Sequence, residues 1–162
     1  MAKKTRDIGI GIAEKDRARI AGGLNRLLAD SFTLYLTTHN FHWNVTGQQF
    51  NSLHLMFMDQ YTELWNAIDP IAERIRALGF PAPGSYASFG KLTTLPDAPA
   101  KPPKAMQMVE NLARGHEAVA ATAREVFVIA EAANDQPTAD LLTQRMDIHE
   151  KTAWMLRAIL KD

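Results

Sequence analysis

Apolar side chains recur every three or four residues along most of the chain, which is the spacing of one helix face. In the first such stretch they include Ile20, Leu24 and Leu27, and they predict a long helix over residues 15–44. The same spacing predicts three further helices, over residues 51–78, 104–133 and 137–160. No stretch alternates apolar and polar residues as a strand would, so the fold is expected to be all-α.

Turn-forming residues mark the ends of these helices. Asn51 and Ser52 are good N-cap residues for the second helix, and Gly79 suits the position just after its end. Pro137 suits the first turn of the fourth helix. Pro70 lies inside the second helix, where it removes a backbone hydrogen bond and is expected to cause a kink.

The longest irregular segment, residues 79–103, is rich in proline and glycine and contains one short predicted helix at 86–89. Four long helices with one long connection predict a four-helix bundle with a crossover between helices 2 and 3. We expect one bundle domain over residues 15–162, preceded by a flexible basic segment over residues 1–14.

The distribution of charge adds a second feature. Eighteen basic residues balance eighteen acidic ones, yet residues 1–19 hold six basic against three acidic residues, a net charge of +3. No lysine or arginine occurs between Arg26 and Arg74, a stretch that holds five acidic residues and three of the five histidines. This stretch is either a buried helix pair that avoids charge or the surroundings of a bound cation.

Composition excludes several classes of protein. The absence of cysteine excludes disulfide scaffolds, thiolate zinc sites and cysteine nucleophiles. No apolar run reaches the roughly 18–20 residues that span a bilayer, and no signal peptide is visible, so a cytoplasmic protein is expected. Zero net charge argues against nucleic-acid binding through bulk charge.

The candidate metal ligands are two histidines and two carboxylates. His42 and His54 lie at the facing ends of a predicted helical hairpin, so their imidazoles can converge. Asp69 and Glu73 are four residues apart and therefore share one helix face. Each pair has a structural alternative, because the carboxylates can pair with arginines such as Arg74 and a histidine near an apolar face is often a core residue.

The two pairs cannot bind one ion within a single chain. His54 and Asp69 are 15 residues apart on one helix, which corresponds to about 22 Å of rise. A shared site therefore needs a second copy, and a twofold axis would create two such sites in a dimer. No glutamate is followed by a histidine three residues later, so the Glu-x-x-His pattern of bundles with an internal di-iron site is absent.

Three segments resemble the signature of the Dps family, the mini-ferritins: residues 38–47 (THNFHWNVTG), 50–54 (FNSLH) and 68–75 (IDPIAERI). The resemblance extends over nearly the whole chain, including residues 149–157. It implies a ferritin-like four-helix bundle, a homo-dodecamer with 23 symmetry, and oxidation of Fe(II), typically by hydrogen peroxide. It also implies that the shell stores the Fe(III) mineral and so protects the cell and its DNA from oxidative damage.

The resemblance assigns roles to individual residues by position. His42 and His54 would be iron ligands from one subunit, and Asp69 and Glu73 would be ligands from its twofold partner. Trp43 would lie beside the site, where it could quench or relay a one-electron oxidation.

One position departs from the family pattern. The family usually has an acidic ligand four residues after the second histidine, where this chain has Met58. On a helix Met58 lies about 40° from His54, whereas Asp59 lies about 140° away and cannot simply replace the missing acid. A thioether is a poor ligand for iron, so one metal position is weaker or recruits Asp59, His149 or His39. Alternatively, each of these three residues packs in the fold or supports a ligand without binding iron itself.

Two further expectations concern the surface of the shell. Glu131, Asp135 and Asp140 flank the last turn and, by resemblance, would line an acidic pore, although Asp135 could instead cap a helix.

The basic residues near the N-terminus, Lys3, Lys4 and Arg6, could bind DNA when many copies act together. The expected location is the bacterial cytoplasm or nucleoid. The alternatives to an iron-storing ferroxidase are a DNA-compacting shell with weakened ferroxidase activity and a bundle that binds zinc or manganese without redox chemistry.

Overall fold

The computed structural model describes residues 8–161, and five helices account for most of them. In chain order they are α1 (Glu14–Asn44), α2 (Phe50–Ala77), α3 (Tyr86–Leu92), α4 (Ala105–Ala132) and α5 (Gln136–Ile159). No strand occurs in this part of the chain. The predicted all-α bundle is confirmed, and α3 is the short helix within the crossover between α2 and α4. No helix among residues 8–161 has the length and apolar character needed to cross a membrane.

The helices pack as two antiparallel pairs, α1 with α2 and α4 with α5, and α1 joins the pairs by packing on α4. The core consists of apolar side chains from all four long helices, among them Ile20, Leu24, Phe41, Phe57, Ile71, Val119 and Leu142. Helices α1 and α4 approach closely at Gly23, where a Cβ atom would lie 2.8 Å from Cγ2 of Val126.

The end of α2 agrees with the sequence prediction, and its beginning does not. Gly79 has a positive φ of 98°, and its N–H bonds the Arg76 carbonyl at 2.9 Å, as expected of a glycine after a helix end. The predicted cap at residues 51–52 is wrong, because α2 begins at Phe50 with Gln49 in the N-cap position and no side-chain cap. The helix continues through Pro70.

The crossover is fastened to the bundle by Asp30. This buried carboxylate accepts hydrogen bonds from the Thr93 hydroxyl at 2.8 Å, the Thr94 N–H at 2.6 Å and the Thr94 hydroxyl at 3.0 Å. It also accepts from the Thr122 hydroxyl of α4 at 2.8 Å. One side chain therefore links α1, the end of the crossover and α4.

Asp135 forms the N-cap of α5, because its carboxylate accepts from the Thr138 N–H at 3.1 Å. It is fully buried and forms an ion pair with Arg74, whose Nη2 lies 2.7 Å away. The capping alternative is therefore confirmed for Asp135, which is not available to line a pore. Glu131 and Asp140 are exposed, and their place at a pore stays a prediction.

The first described residues pack against the C-terminal end of α2. Arg17 donates from Nη1 to the Leu78 carbonyl at 2.8 Å and from Nε to the Ile12 carbonyl at 3.2 Å. Ile8 packs on Gly79, because a Cβ atom there would lie 2.2 Å from Cδ1 of Ile8. The basic residues expected to contact DNA, Lys3, Lys4 and Arg6, lie outside the described residues.

Candidate metal centre

The α1–α2 turn brings His42 and His54 together. Nδ1 of His42 lies 2.7 Å from the His54 carbonyl oxygen, and Nδ1 of His54 lies 2.8 Å from the His42 carbonyl oxygen. The two rings stack with centroids 3.8 Å apart and an angle of 17° between their planes. A carbonyl oxygen can only accept, so both Nδ1 atoms carry a proton. In the neutral form each ring therefore has its lone pair on Nε2, where a histidine binds metal ions.

Asp69 and Glu73 lie on the exposed face of α2, far from the histidines. Within residues 8–161 neither carboxylate forms an ion pair. The alternative that they pair with Arg74 is not observed, because Arg74 binds the buried Asp135. The two carboxylates are therefore available on the surface of the chain.

The described part of one chain thus offers two separate sets of ligands. We call His42 and His54 the imidazole half-site, and Asp69 and Glu73 the carboxylate half-site. No group of three or more histidine or acidic side chains between residues 8 and 161 is arranged to hold a metal ion. Each half-site alone has too few ligands for a stable iron site, and the helix rise between them prevents their combination within one subunit.

Aromatic rings surround the imidazole half-site. His39 stacks on Tyr61 with centroids 3.9 Å apart, and its ring is tilted by 33° against that of Trp43, with centroids 4.1 Å apart. The Tyr35 hydroxyl lies 3.2 Å from Nδ1 of His39. Burial, and then the neighbouring His42, lower the pKa of His39 below its ordinary value. Trp43 is 61% exposed. No motif in the sequence identifies Tyr35 or Tyr61 as neighbours of this half-site.

The sequence offers three replacements for the missing acid at Met58, namely Asp59, His149 and His39. Met58 is 37% exposed, and Asp59 is also exposed, on the following position of the helix. His149 is fully buried between α4 and α5, where both of its ring nitrogens are hydrogen-bonded, so it is not available as a ligand. His39 lies next to the half-site but bonds the Tyr35 hydroxyl.

His149 belongs to a buried polar cluster that the sequence did not reveal. Arg145 can only donate, so its Nη2 donates to Nε2 of His149 at 3.1 Å. His149 therefore carries its proton on Nδ1 and donates to Nδ1 of His116 at 2.8 Å. Arg145 also forms an ion pair with Glu63 of α2, with Nη2 3.0 Å from Oε2.

Both histidines of this cluster are held neutral. Burial is the main cause and Arg145 the second, and together they lower the pKa of His116 to about 3. Burial, His116 and Arg145, in that order, lower the pKa of His149 well below its ordinary value. The neutral His116 then carries its proton on Nε2, a buried atom with no hydrogen-bond partner among residues 8–161.

Comparison with known proteins supports the same fold. The family model of the ferritin-like domain matches residues 21–162. A low temperature-induced protein of Nostoc sp. is 41% identical over 155 residues, which cover 95% of this chain and 87% of the relative. The "DNA protection during starvation protein 2" of Bacillus anthracis is 38% identical over 137 residues, covering 85% of this chain and 93% of the relative.

A solved structure extends this similarity to the whole backbone. The crystal structure of a Dps protein from Vibrio cholerae O1 matches with a TM-score of 0.91 and 29% identity, covering 99% of both chains. That protein is described as a member of a broad superfamily of ferritin-like diiron-carboxylate proteins.

The four-helix bundle and the domain match define a ferritin-like protein, and within that class the chain belongs to the Dps family. The resemblance seen in the sequence is confirmed. The family supports a role in iron storage and protection, carried out by a multimeric shell, and suggests a ferroxidase-type activity.

Proposed function

We propose that this protein is a ferroxidase that oxidises Fe(II) at sites shared by two subunits, with hydrogen peroxide as the oxidant. The Fe(III) mineral is stored inside a homo-dodecameric shell with 23 symmetry. The observation that carries the proposal is the pair of reciprocal hydrogen bonds between His42 and His54. These bonds fix both rings with Nε2 free to bind iron, before any metal is present.

The two half-sites have complementary chemistry. The imidazole half-site provides two nitrogen ligands, and the carboxylate half-site provides oxygen ligands that also stabilise the higher charge of Fe(III). A twofold axis that places His42 and His54 of one subunit against Asp69 and Glu73 of the other completes two equivalent sites. The absence of an ion-pair partner for either carboxylate within residues 8–161 supports this role.

The reaction consumes two Fe(II) ions for each molecule of hydrogen peroxide. Two Fe(II) ions supply two electrons, and hydrogen peroxide with two protons becomes two molecules of water. Met58 lies where the family usually has an acid, so we propose that each site binds one iron firmly and a second iron weakly. Trp43, whose ring centroid lies 4.1 Å from that of His39, would donate a single electron when the iron stoichiometry is incomplete.

Stopped-flow absorbance and a peroxide electrode test this proposal directly. His42→Ala and Asp69→Ala are expected to abolish Fe(II)-dependent consumption of peroxide while the assembled shell remains intact by size-exclusion chromatography. Asp97→Ala, which changes an exposed acid on the crossover, serves as the matched control and should retain full activity. The proposal fails if the unmodified protein oxidises Fe(II) no faster than buffer, or if Zn(II) or Mn(II) binds but no iron is oxidised.

A second function, DNA compaction, is favoured by the charge distribution of the sequence. Residues 1–19 have a net charge of +3, and many copies on one shell would contact the phosphate backbone together. A gel-shift assay at physiological salt with the full chain and with a chain lacking residues 1–8 tests this function. Unchanged DNA mobility with the full-length shell would exclude it.

A further inference from the structure

Each long helix carries a polar side chain in the series of residues that faces the core. In α2 this series recurs every three or four residues and includes one amide among apolar side chains, in the order Leu53, Phe57, Gln60, Leu64, Ala67 and Ile71. The corresponding positions in the other long helices are occupied by Ser31 of α1, His116 of α4, and Arg145 and His149 of α5. We call these five polar side chains the polar layer.

Two contacts place the α1, α4 and α5 members of the polar layer at one height in the bundle. A Cβ atom on Gly115 would lie 2.6 Å from Cδ1 of Leu34. Ser31 is three residues from this contact and His116 is one residue from it, so the two lie within about one helical turn of each other. His116 also bonds His149 directly, with their Nδ1 atoms 2.8 Å apart.

Gln60 of α2 lies at the same height. Helices α2 and α5 run antiparallel, and Glu63 of α2 forms an ion pair with Arg145 of α5. Gln60 precedes this ion pair by three residues on α2, so it lies level with the position three residues after the ion pair on α5, next to His149. The polar layer therefore crosses the bundle at a height between the imidazole half-site and the carboxylate half-site.

Most of the unpaired buried polar atoms of the described chain belong to the polar layer. They are Oγ of Ser31, Oε1 of Gln60, Nε2 of His116 and Nε of Arg145, and only Oδ1 of Asn25 lies outside the layer. None of them has a hydrogen-bond partner among residues 8–161. Folded proteins pair almost all of their buried polar groups, either with other protein groups or with ordered water. Four such atoms in one layer therefore indicate a bound molecule.

The direction of the hydrogen bonds excludes a cation as this molecule. Arg145 donates to Nε2 of His149, which donates from Nδ1 to Nδ1 of His116. The remaining nitrogen of His116, Nε2, therefore carries a proton. A cation would need the lone pair of that nitrogen, and both hydrogen bonds would have to reverse. A guanidinium cannot accept a hydrogen bond, so this reversal is prevented.

The acceptors in the polar layer exclude a simple anion such as chloride. Oε1 of Gln60 can only accept, and chloride has no proton to donate to it. The charge of Arg145 is also already balanced by its ion pair with Glu63. The layer offers two N–H donors, on His116 and Arg145, and its two unpaired oxygens can accept. A water molecule, with two protons and two lone pairs, complements this set.

We propose that the polar layer binds an ordered water molecule that accepts from Nε2 of His116 and donates to Oε1 of Gln60. Nε of Arg145 and Oγ of Ser31 complete its hydrogen bonds, directly or through a second water molecule. The site joins all four long helices, because each of them contributes a partner. A shift of one helix along its axis would leave these buried groups unpaired, so the bound water fixes the register of the bundle between the two half-sites. This site does not depend on the proposed ferroxidase function.

A high-resolution crystal structure of the assembled protein, from crystals soaked in sodium bromide, tests the water site. We expect an electron-density peak within about 3.2 Å of both Nε2 of His116 and Oε1 of Gln60, without anomalous scattering. The proposal is overturned if no such peak is present. It is also overturned if bromide or a metal ion scatters anomalously from the polar layer, because the occupant is then an ion.

Substitution of Gln60 tests whether the water joins α2 to α4. Gln60→Leu and the longer Gln60→Met both remove the acceptor, and each should abolish the peak beside His116. Thr38→Val is the matched control, because Thr38 lies in the core-facing series of α1 but its hydroxyl already bonds the Leu34 carbonyl at 2.7 Å. The peak should remain in this control. A peak that persists in the Gln60 variants refutes the proposal, whereas oxidation of Fe(II) is measured separately and is not tested by these structures.

Discussion

Acidification should destabilise this protein through the buried pair His116 and His149. Both are neutral in the folded chain, because burial and the nearby Arg145 lower their pKa values, that of His116 to about 3. In the unfolded chain a histidine has a pKa of about 6.5. The unfolded state therefore binds protons first as the pH falls, and folding free energy is lost between about pH 6.5 and pH 3.

The size of the effect at pH 5 follows from the two pKa values of His116. At that pH the unfolded chain gains about 2 kcal/mol from protonation of this histidine, whereas the folded chain gains almost nothing. His149 acts in the same direction. A variant without the titrating group, His116→Gln, should therefore lose about 2 kcal/mol less than the unmodified protein between pH 7 and pH 5. Glutamine retains an oxygen that can accept from Nδ1 of His149.

Urea unfolding at pH 7, 6 and 5 measures this difference. Both proteins are compared at one concentration, because assembly makes stability depend on concentration. Any pH-independent cost of the substitution appears equally at each pH and cancels in the comparison. If His116→Gln and the unmodified protein lose the same free energy between pH 7 and pH 5, burial does not hold His116 neutral and the reasoning is refuted.

Substitutions at three further features of the chain are tested by denaturant unfolding or by metal titration. Asp30→Ala should lower the free energy of unfolding by about 3 kcal/mol, because the Thr94 N–H and three threonine hydroxyls lose their acceptor. An unchanged denaturant concentration at the midpoint of unfolding would contradict this. Gly23→Ala should destabilise the protein by about 1–3 kcal/mol, because the added methyl group clashes with Val126. The control Gly22→Ala, where the added methyl group meets open space, should stabilise it by about 1 kcal/mol. Equal effects of the two substitutions would refute the close approach of α1 and α4. Met58→Glu should raise anaerobic Fe(II) binding from about one to about two ions per site, because a carboxylate binds iron better than a thioether does. Met58→Leu is the control and should bind as many ions as the unmodified protein. If Met58→Glu also binds no more Fe(II) than the unmodified protein, Met58 does not limit the site.

The fold could be predicted because its signals are local. Apolar spacing predicted α1 over residues 15–44, and the structure places it at Glu14–Asn44. Gly79 and Asp135 were identified because a helix end requires a residue that accepts a left-handed conformation or a side chain that caps free N–H groups. These requirements depend on only a few neighbouring residues. The predicted cap at residues 51–52 failed because a backbone turn, with the Phe50 N–H bonded to the Gly47 carbonyl at 3.0 Å, begins the helix earlier.

The candidate site was only partly predictable. The convergence of His42 and His54 follows from a short hairpin, but their reciprocal bonds to backbone carbonyls depend on the register of α1 against α2. His116 and His149 are 33 residues apart on two helices, so nothing local in the sequence pairs them. His149 was therefore considered as an iron ligand, although Arg145 and His116 occupy its nitrogens.

The buried cluster also determines where protons can travel. Because Arg145 only donates, the hydrogen bonds run in one direction, from Arg145 to His149 and from His149 to His116. A proton could pass along this line only if every donor and acceptor reversed, and a guanidinium cannot accept. The line also stops at Nε2 of His116, which has no partner within residues 8–161. Within residues 8–161 this line therefore gives acid at its Arg145 end no route to His116 in the middle of the bundle.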